Sequence, residues 1–124
     1  MEPKAKILFV DDELDVIYPF AFWFKSQGFA VRTASTCDEA LKAVRDETPD
    51  VVFLDIHMPD TDGFAMLKKI KAIDGAISVV MMSAYIGDNI NEKESQGAVA
   101  GVFYKGDDFS KALALAESAI NRKG

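Results

Sequence analysis

Asp11 and Asp12, then Asp55, then Ser83, then Lys105 each stand at the end of a short apolar segment, so that three carboxylates, one hydroxyl and one ammonium recur at equivalent places along the chain. Carboxylates held a few ångströms apart repel by about 1 kcal/mol per pair in water and about 4 kcal/mol at an effective dielectric of 20. Such a cluster calls for a proton or a cation. All-oxygen ligands favour Mg²⁺, Mn²⁺ or Ca²⁺ over zinc, and a site with few protein ligands, completed by water and phosphate, suits Mg²⁺ best. Asp55 precedes a loop bracketed by Pro59 and Gly63. A carboxylate so placed could bind metal or attack phosphorus as a nucleophile. Lys105 could meet a phosphoryl oxygen as a point charge, and Ser83 could donate a hydrogen bond to another. Taken alone, Asp11-Asp12-Glu13 is equally explained as acidic charge complementing the N-terminal end of a helix dipole.

These residues converge only if the elements before them lie side by side. Residues 7–10, 30–33, 51–54, 77–82 and 99–104 are rich in β-branched or aromatic types and read as five strands. Three of them are continuously apolar, as expected for central parallel strands covered by helices on both faces. Helices are expected between them. Ser35 or Thr36 can cap one that carries Ala40, Leu41 and Val44, with Glu39 at the capping-box position. Residues 64–73 place Phe64, Leu67 and Ile70 on one stripe with Lys68, Lys69 and Lys71 turned away, and residues 108–120 carry Phe109, Leu113, Ala116 and Ile120. A helix at 89–96 has almost no apolar stripe beyond Ile90. Alternating strands and helices predict an α/β fold with a doubly wound, five-stranded parallel sheet. With strand order 2-1-3-4-5, flavodoxin-like, the switch point falls between the first and third strands, beside Asp11, Asp12 and Asp55.

The 124 residues are expected to form one domain, 1–124, without an output domain. A formal net charge of -6 disfavours binding to nucleic acid or an anionic membrane. Cys37 is the only cysteine, which excludes an internal disulfide and reads as a helix-packing residue of a cytoplasmic protein. The start has no signal-peptide pattern, and the apolar run 18–24 is interrupted by Pro19 and bounded by Lys25.

The runs Ile7-Leu8-Phe9-Val10-Asp11-Asp12-Glu13 and Leu54-Asp55-Ile56-His57-Met58-Pro59-Asp60-Thr61-Asp62-Gly63, the pair Ser83-Ala84, and Lys105, in this order, resemble the receiver domain of two-component response regulators over nearly the whole chain. The resemblance implies that Asp55 is the phosphoacceptor. It implies Mg²⁺, with Mn²⁺ as an alternative, held by Asp11, Asp12, Asp55 and the backbone carbonyl of His57, with Ser83 as switch hydroxyl and Lys105 on the phosphoryl group. The phosphodonor would be a histidine kinase or a histidine phosphotransfer protein, and the output a protein–protein interaction of a stand-alone receiver, with a homodimer as a further option.

The match departs from the family pattern at two positions. An aromatic switch residue is usual three positions before the lysine and a proline directly after it, whereas this chain has Val102 and Gly106. Phe103 and Tyr104 supply aromatics nearby. In the first helix Tyr18, Phe20, Phe22, Trp23 and Phe24 cannot all face one stripe, since neighbours lie about 100° apart. Phe20 and Phe24 are expected in the core, leaving Tyr18, Phe22 or Trp23 either partly covered or forming a partner or self-association face. His57 is expected as a loop residue contributing its backbone, and Tyr85 as a residue lining the site's entrance. Two rival functions stand beside the phosphoacceptor receiver. One is a degenerate, non-switching interaction or dimerisation module. The other is a small Mg²⁺-dependent phosphatase with Asp55 as nucleophile, against which stands His57, rather than an acid, two positions later.

Overall fold

The computed structural model describes residues 4–84 and 99–123. The helix predicted at 89–96 and Tyr85 lie outside the described residues. Strands β1 (Lys6–Val10), β2 (Ala30–Ala34), β3 (Val51–Asp55), β6 (Ser78–Ser83) and β7 (Gly101–Tyr104) form one parallel sheet in the order β2-β1-β3-β6-β7. This is the expected 2-1-3-4-5 order with its switch point between β1 and β3. The region between Asp55 and Gly63, expected as a loop, forms a small antiparallel hairpin of β4 (His57–Met58) and β5 (Thr61–Asp62). The last strand begins two residues later than its apolar run suggested, at Gly101.

Although the central strands are apolar throughout, their side chains alternate between two separate cores, as the two-residue period of a strand requires. Leu8, Val10, Val52, Leu54, Val79 and Met81 face α2 (Cys37–Asp46) and α3 (Gly63–Ile73). Cys37 is buried there, its Sγ 3.0 Å from Met66 Sδ, in the packing role expected of it. Ile7, Phe9, Val51, Phe53, Val80, Met82 and Phe103 face α1 (Leu14–Ser26) and the C-terminal helix Phe109–Lys123. Aromatic rings dominate this second core. Phe9 lies 4.6 Å from Phe20 and 5.0 Å from Phe53 by ring centroids, and Phe20 stacks on Phe103 at 5.2 Å. Ring pairs of this kind contribute about 0.5–1.5 kcal/mol each beyond the area they bury.

That crowding explains the difference in the C-terminal helix. Its fully buried stripe is Ala112, Ala116 and Ala119, while Phe109, Leu113 and Ile120 flank it half-buried. Only small side chains fit where the aromatic cluster already fills the space. In α1, Ile17, Phe20, Ala21 and Phe24 face inward, Trp23 is half-buried against Phe24 and Phe109, and Tyr18 and Phe22 are exposed.

Local signals set the helix starts. Thr36 caps α2 by accepting from the Glu39 N–H at 3.1 Å, as expected. The Glu39 carboxylate, however, reaches back to the Ser35 N–H and hydroxyl rather than to Thr36. Asp62 caps α3 by accepting from the Ala65 N–H at 2.8 Å. Asp60, in the hairpin turn, accepts from the Cys37 N–H at 3.0 Å and so ties the hairpin to the start of α2. Among the described residues no helix is long and apolar enough to cross a membrane.

Gly63 is a glycine whose Cβ would run into backbone. A Cβ there would lie 2.8 Å from Ile56 Cα and 2.9 Å from the Asp55 carbonyl oxygen, while the Gly63 N–H donates to the Ile56 carbonyl at 2.8 Å. Met81 Cε, also 2.9 Å away, could give way, but the other two obstacles are backbone, so Gly63→Ala should cost about 2 kcal/mol or more in urea unfolding. An alanine variant within about 0.5 kcal/mol of the parent would show that the hairpin can move freely away from Asp55.

Candidate functional site

The parallel ladder continues one step past each strand and thereby fixes the residues that follow. The Asp11 N–H donates to the Ala34 carbonyl at 3.0 Å, the Ile56 N–H to Met82 at 3.0 Å, and the Lys105 N–H to Ser83 at 2.7 Å. Asp55, at the end of β3, is in register with Met82, and Ser83 with Tyr104. The carboxyl ends of β1, β3, β6 and β7 therefore present Asp11, Asp55, Ser83 and Lys105 along one edge. Asp55 and Ser83 are the last residues of their strands rather than the first of the following loops.

Carboxylate oxygens of Asp11, Asp12 and Asp55 all lie within 4.8 Å of one another. Asp11 and Asp55 are buried, whereas Asp12 is exposed. Lys105 reaches into the cluster, its Nζ 2.7 Å from Asp11 Oδ2 and 3.3 Å from Asp55 Oδ2. Among the described residues Asp11 Oδ2 has no partner besides this ion pair with Lys105. The other oxygens are held by backbone. Asp11 Oδ1 accepts from the Glu13 N–H at 2.9 Å, and Asp55 Oδ1 from the His57 N–H at 3.2 Å. His57 is exposed, and Ser83 is fully buried at the sheet edge.

One residue escaped the sequence reading. Glu13 Oε1 lies 3.3 Å from Lys105 Nζ, so the third acidic residue of the run joins the site from its exposed rim as well as opening α1. Its alternation with Asp11 was the signal available.

Burial raises the Asp55 carboxyl, the adjacent Asp11 charge raises it further, and Lys105 with the His57 N–H offsets this only in part, leaving it at about 6. For Lys105, burial acts to lower the ammonium's pKa, but Asp11 and Asp55 outweigh it and the net shift is upward. One ammonium thus faces two buried carboxylates and a third at the rim. The donors are all oxygen, an open side remains at Asp12, and the negative charge is in excess, so the cluster fits a hard divalent cation.

A sequence profile of the response regulator receiver domain matches residues 7–116. The chain belongs to this family. Receivers accept a phosphoryl group on aspartate in two-component signalling, and they bind Mg²⁺ through acidic residues. The chain is 38% identical over 97 residues to Sporulation initiation phosphotransferase F of Bacillus subtilis, covering 77% of this chain and 78% of that protein. It is 33% identical to Transcriptional regulatory protein PrrA of Mycobacterium tuberculosis over 92% of this chain but only 46% of the relative, so it spans less than half of that regulator. Among solved structures, the receiver domain of NtrX from Brucella abortus superposes with a TM-score of 0.81 at 32% identity, covering 93% of this receiver and 98% of that one.

The strained Asp55 carboxylate has a measurable consequence for stability. Its folded pKa of about 6 stands above the ordinary value of 3.8, so its contribution is complete below pH 4 and is lost as pH rises through 6. In metal-free buffer the receiver should lose about 2 kcal/mol of stability to this group between those limits. Asp55→Asn should remove that loss and be the more stable protein at pH 7.5. Urea unfolding of both proteins at pH 4.5 and 7.5 measures the difference, and an equal pH response in the two would contradict the assignment of the shift to Asp55.

Proposed function

We propose that this receiver is phosphorylated on Asp55 by a histidine kinase or a histidine phosphotransfer protein, and that it acts by phosphorylation-dependent docking to other proteins in the cytoplasm. The observation that carries the reading is the single Lys105 ammonium within ion-pair distance of both Asp11 and Asp55 at the rim of a three-aspartate cluster. The 38% identity to Sporulation initiation phosphotransferase F, against 33% to the transcriptional regulator PrrA, supports reading the chain as a receiver that takes part in phosphotransfer between proteins.

In the proposed transfer a carboxylate oxygen of Asp55 attacks the phosphorus of a phosphoimidazole in line, the O–P bond forms as the P–N bond breaks, and the imidazole nitrogen leaves. The His57 N–H, bonded to Asp55 Oδ1, keeps one oxygen engaged and orients the other. Lys105 exchanges its contact with Asp55 for the oxygens of the arriving phosphoryl group, and so remains charge-paired throughout. Ser83, whose backbone is tied to Lys105, supplies the switch hydroxyl. Asp11, Asp12, Asp55 and the carbonyl of His57 would hold Mg²⁺, with Mn²⁺ as a substitute, and the ion would neutralise charge on the equatorial oxygens.

Intact mass after incubation with acetyl phosphate tests the acceptor. The parent should gain one phosphoryl group only when Mg²⁺ is present, and Asp55→Asn should gain none. Equal labelling of the variant would overturn the assignment. Asp12→Ala should weaken Mg²⁺ binding by about tenfold or more in a titration, while raising metal-free stability because one repulsion is gone. Unchanged Mg²⁺ affinity would remove Asp12 from the ligands.

A specific observation keeps a second reading, the non-switching interaction module, in view. Val102 occupies the usual position of the aromatic switch and is only half-buried. Amide exchange with and without a beryllium fluoride adduct separates the two readings. Altered protection around Ser83 supports switching, and unchanged protection despite a formed adduct supports the module.

A further inference from the structure

Every large hydrophobic side chain that is exposed among the described residues belongs to α1: Leu14, Val16, Tyr18 and Phe22. Phe22 is 76% exposed and Tyr18 57%. Leu14, Tyr18 and Phe22 are spaced four apart and form one continuous outer stripe. The inward face of the helix is already fully used by Ile17, Phe20, Ala21 and Phe24, so the stripe has no role in the receiver's own core. It is also charged asymmetrically. Asp15 lies in the first turn and Lys25 in the last, both exposed, and neither makes an ion pair among the described residues.

These features are self-complementary. If two copies of α1 pack antiparallel about a two-fold axis centred on position 20, Tyr18 faces the partner's Phe22, and in the same register Asp15 faces the partner's Lys25. Each contact is made twice, as an isologous interface requires. Antiparallel packing also sets the positive end of each helix dipole beside the negative end of the other. We propose that this receiver self-associates through α1, with Tyr18 and Phe22 as the apolar centre and the Asp15–Lys25 pairs fixing the antiparallel direction. The occupant of the stripe is a second copy of the chain. A net charge of -6 on each copy opposes association, so the dimer should be weak and favoured at high protein concentration.

Sedimentation velocity across a concentration series from about 1 µM to about 1 mM tests the proposal. The parent should pass from one chain mass towards two. Phe22→Ser should keep the parent's circular dichroism, since the side chain lies outside the core, and should weaken association at least about tenfold. Charge exchange tests the direction. Lys25→Glu and Asp15→Lys should each reduce self-association, because each sets like charges opposite one another. An equimolar mixture of the two variants should restore it, because in the mixed dimer both pairs are again opposite in sign. A parent that stays monomeric throughout would overturn the proposal, as would a dimer insensitive to Phe22→Ser. A mixture no more associated than its components would overturn the antiparallel pairing.

Discussion

Two carboxylates, Asp11 and Asp55, are buried at one sheet edge within reach of the Lys105 ammonium, and the remaining architecture keeps them from moving apart. Their repulsion is relieved in part by Lys105 and otherwise by proton uptake on Asp55, whose carboxyl is pushed up to about 6. Separation would relieve it more cheaply, but the backbone forbids this. Asp11 is tied to β2 through Ala34, Asp55 sits in register with Met82, and Ile56 continues the ladder one step beyond it. Gly63 then closes the loop onto Ile56 at a distance that leaves no room for a Cβ. The electrostatic tension is therefore a property of the sheet, and it gives the site its appetite for positive charge.

The same sheet divides its packing unequally. The side facing α2 and α3 is filled by aliphatic residues and methionine, and the side facing α1 and the C-terminal helix by stacked phenylalanines. The aromatic side needs short side chains opposite it, and Ala112, Ala116 and Ala119 provide them. It also takes Phe20 and Phe24 from α1, which leaves Tyr18 and Phe22 on the outer surface for geometric reasons. A helix with aromatics at 18, 20, 22, 23 and 24 cannot bury all of them against one sheet.

The strands and their order were legible because five apolar runs alternate with helical segments, and chemistry-bearing residues end four of them. The aspartate cluster and Lys105 followed from that register alone. Other features had no comparable signal. Thr61-Asp62 is too short to show a strand period, so the hairpin after Asp55 read as a loop. Glu13 read as helix-dipole charge, since only the fold reveals that Lys105 lies beside it, 92 residues away in sequence. Glu39 stands at the capping-box position, but its carboxylate serves Ser35, one residue earlier than the motif implies. The buried alanine row was hidden because periodicity weighs large apolar residues most heavily, and here Phe109, Leu113 and Ile120 lie at its margin.

The departures at Val102 and Gly106 have separate structural grounds, one inside β7 and one just after it. Gly106 has a φ of +94°, in the left-handed region, which proline with its φ fixed near -65° cannot adopt. Nothing lies within 4 Å of where its Cβ would be, so it is backbone conformation and not crowding that favours glycine there. On β7, Phe103 turns into the aromatic core, which places Val102 and Tyr104 together on the opposite face. Tyr104 is the residue in register with Ser83, immediately before Lys105. The aromatic residue on this face therefore stands two positions nearer the lysine than the family pattern has it, directly across the ladder from the buried serine. Val102, stiff at χ1, occupies the place left behind. Neither Val102 nor Gly106 takes part in the contacts among Asp11, Asp55 and Lys105, so the acidic cluster and its lysine form beside a surface that departs from the family pattern.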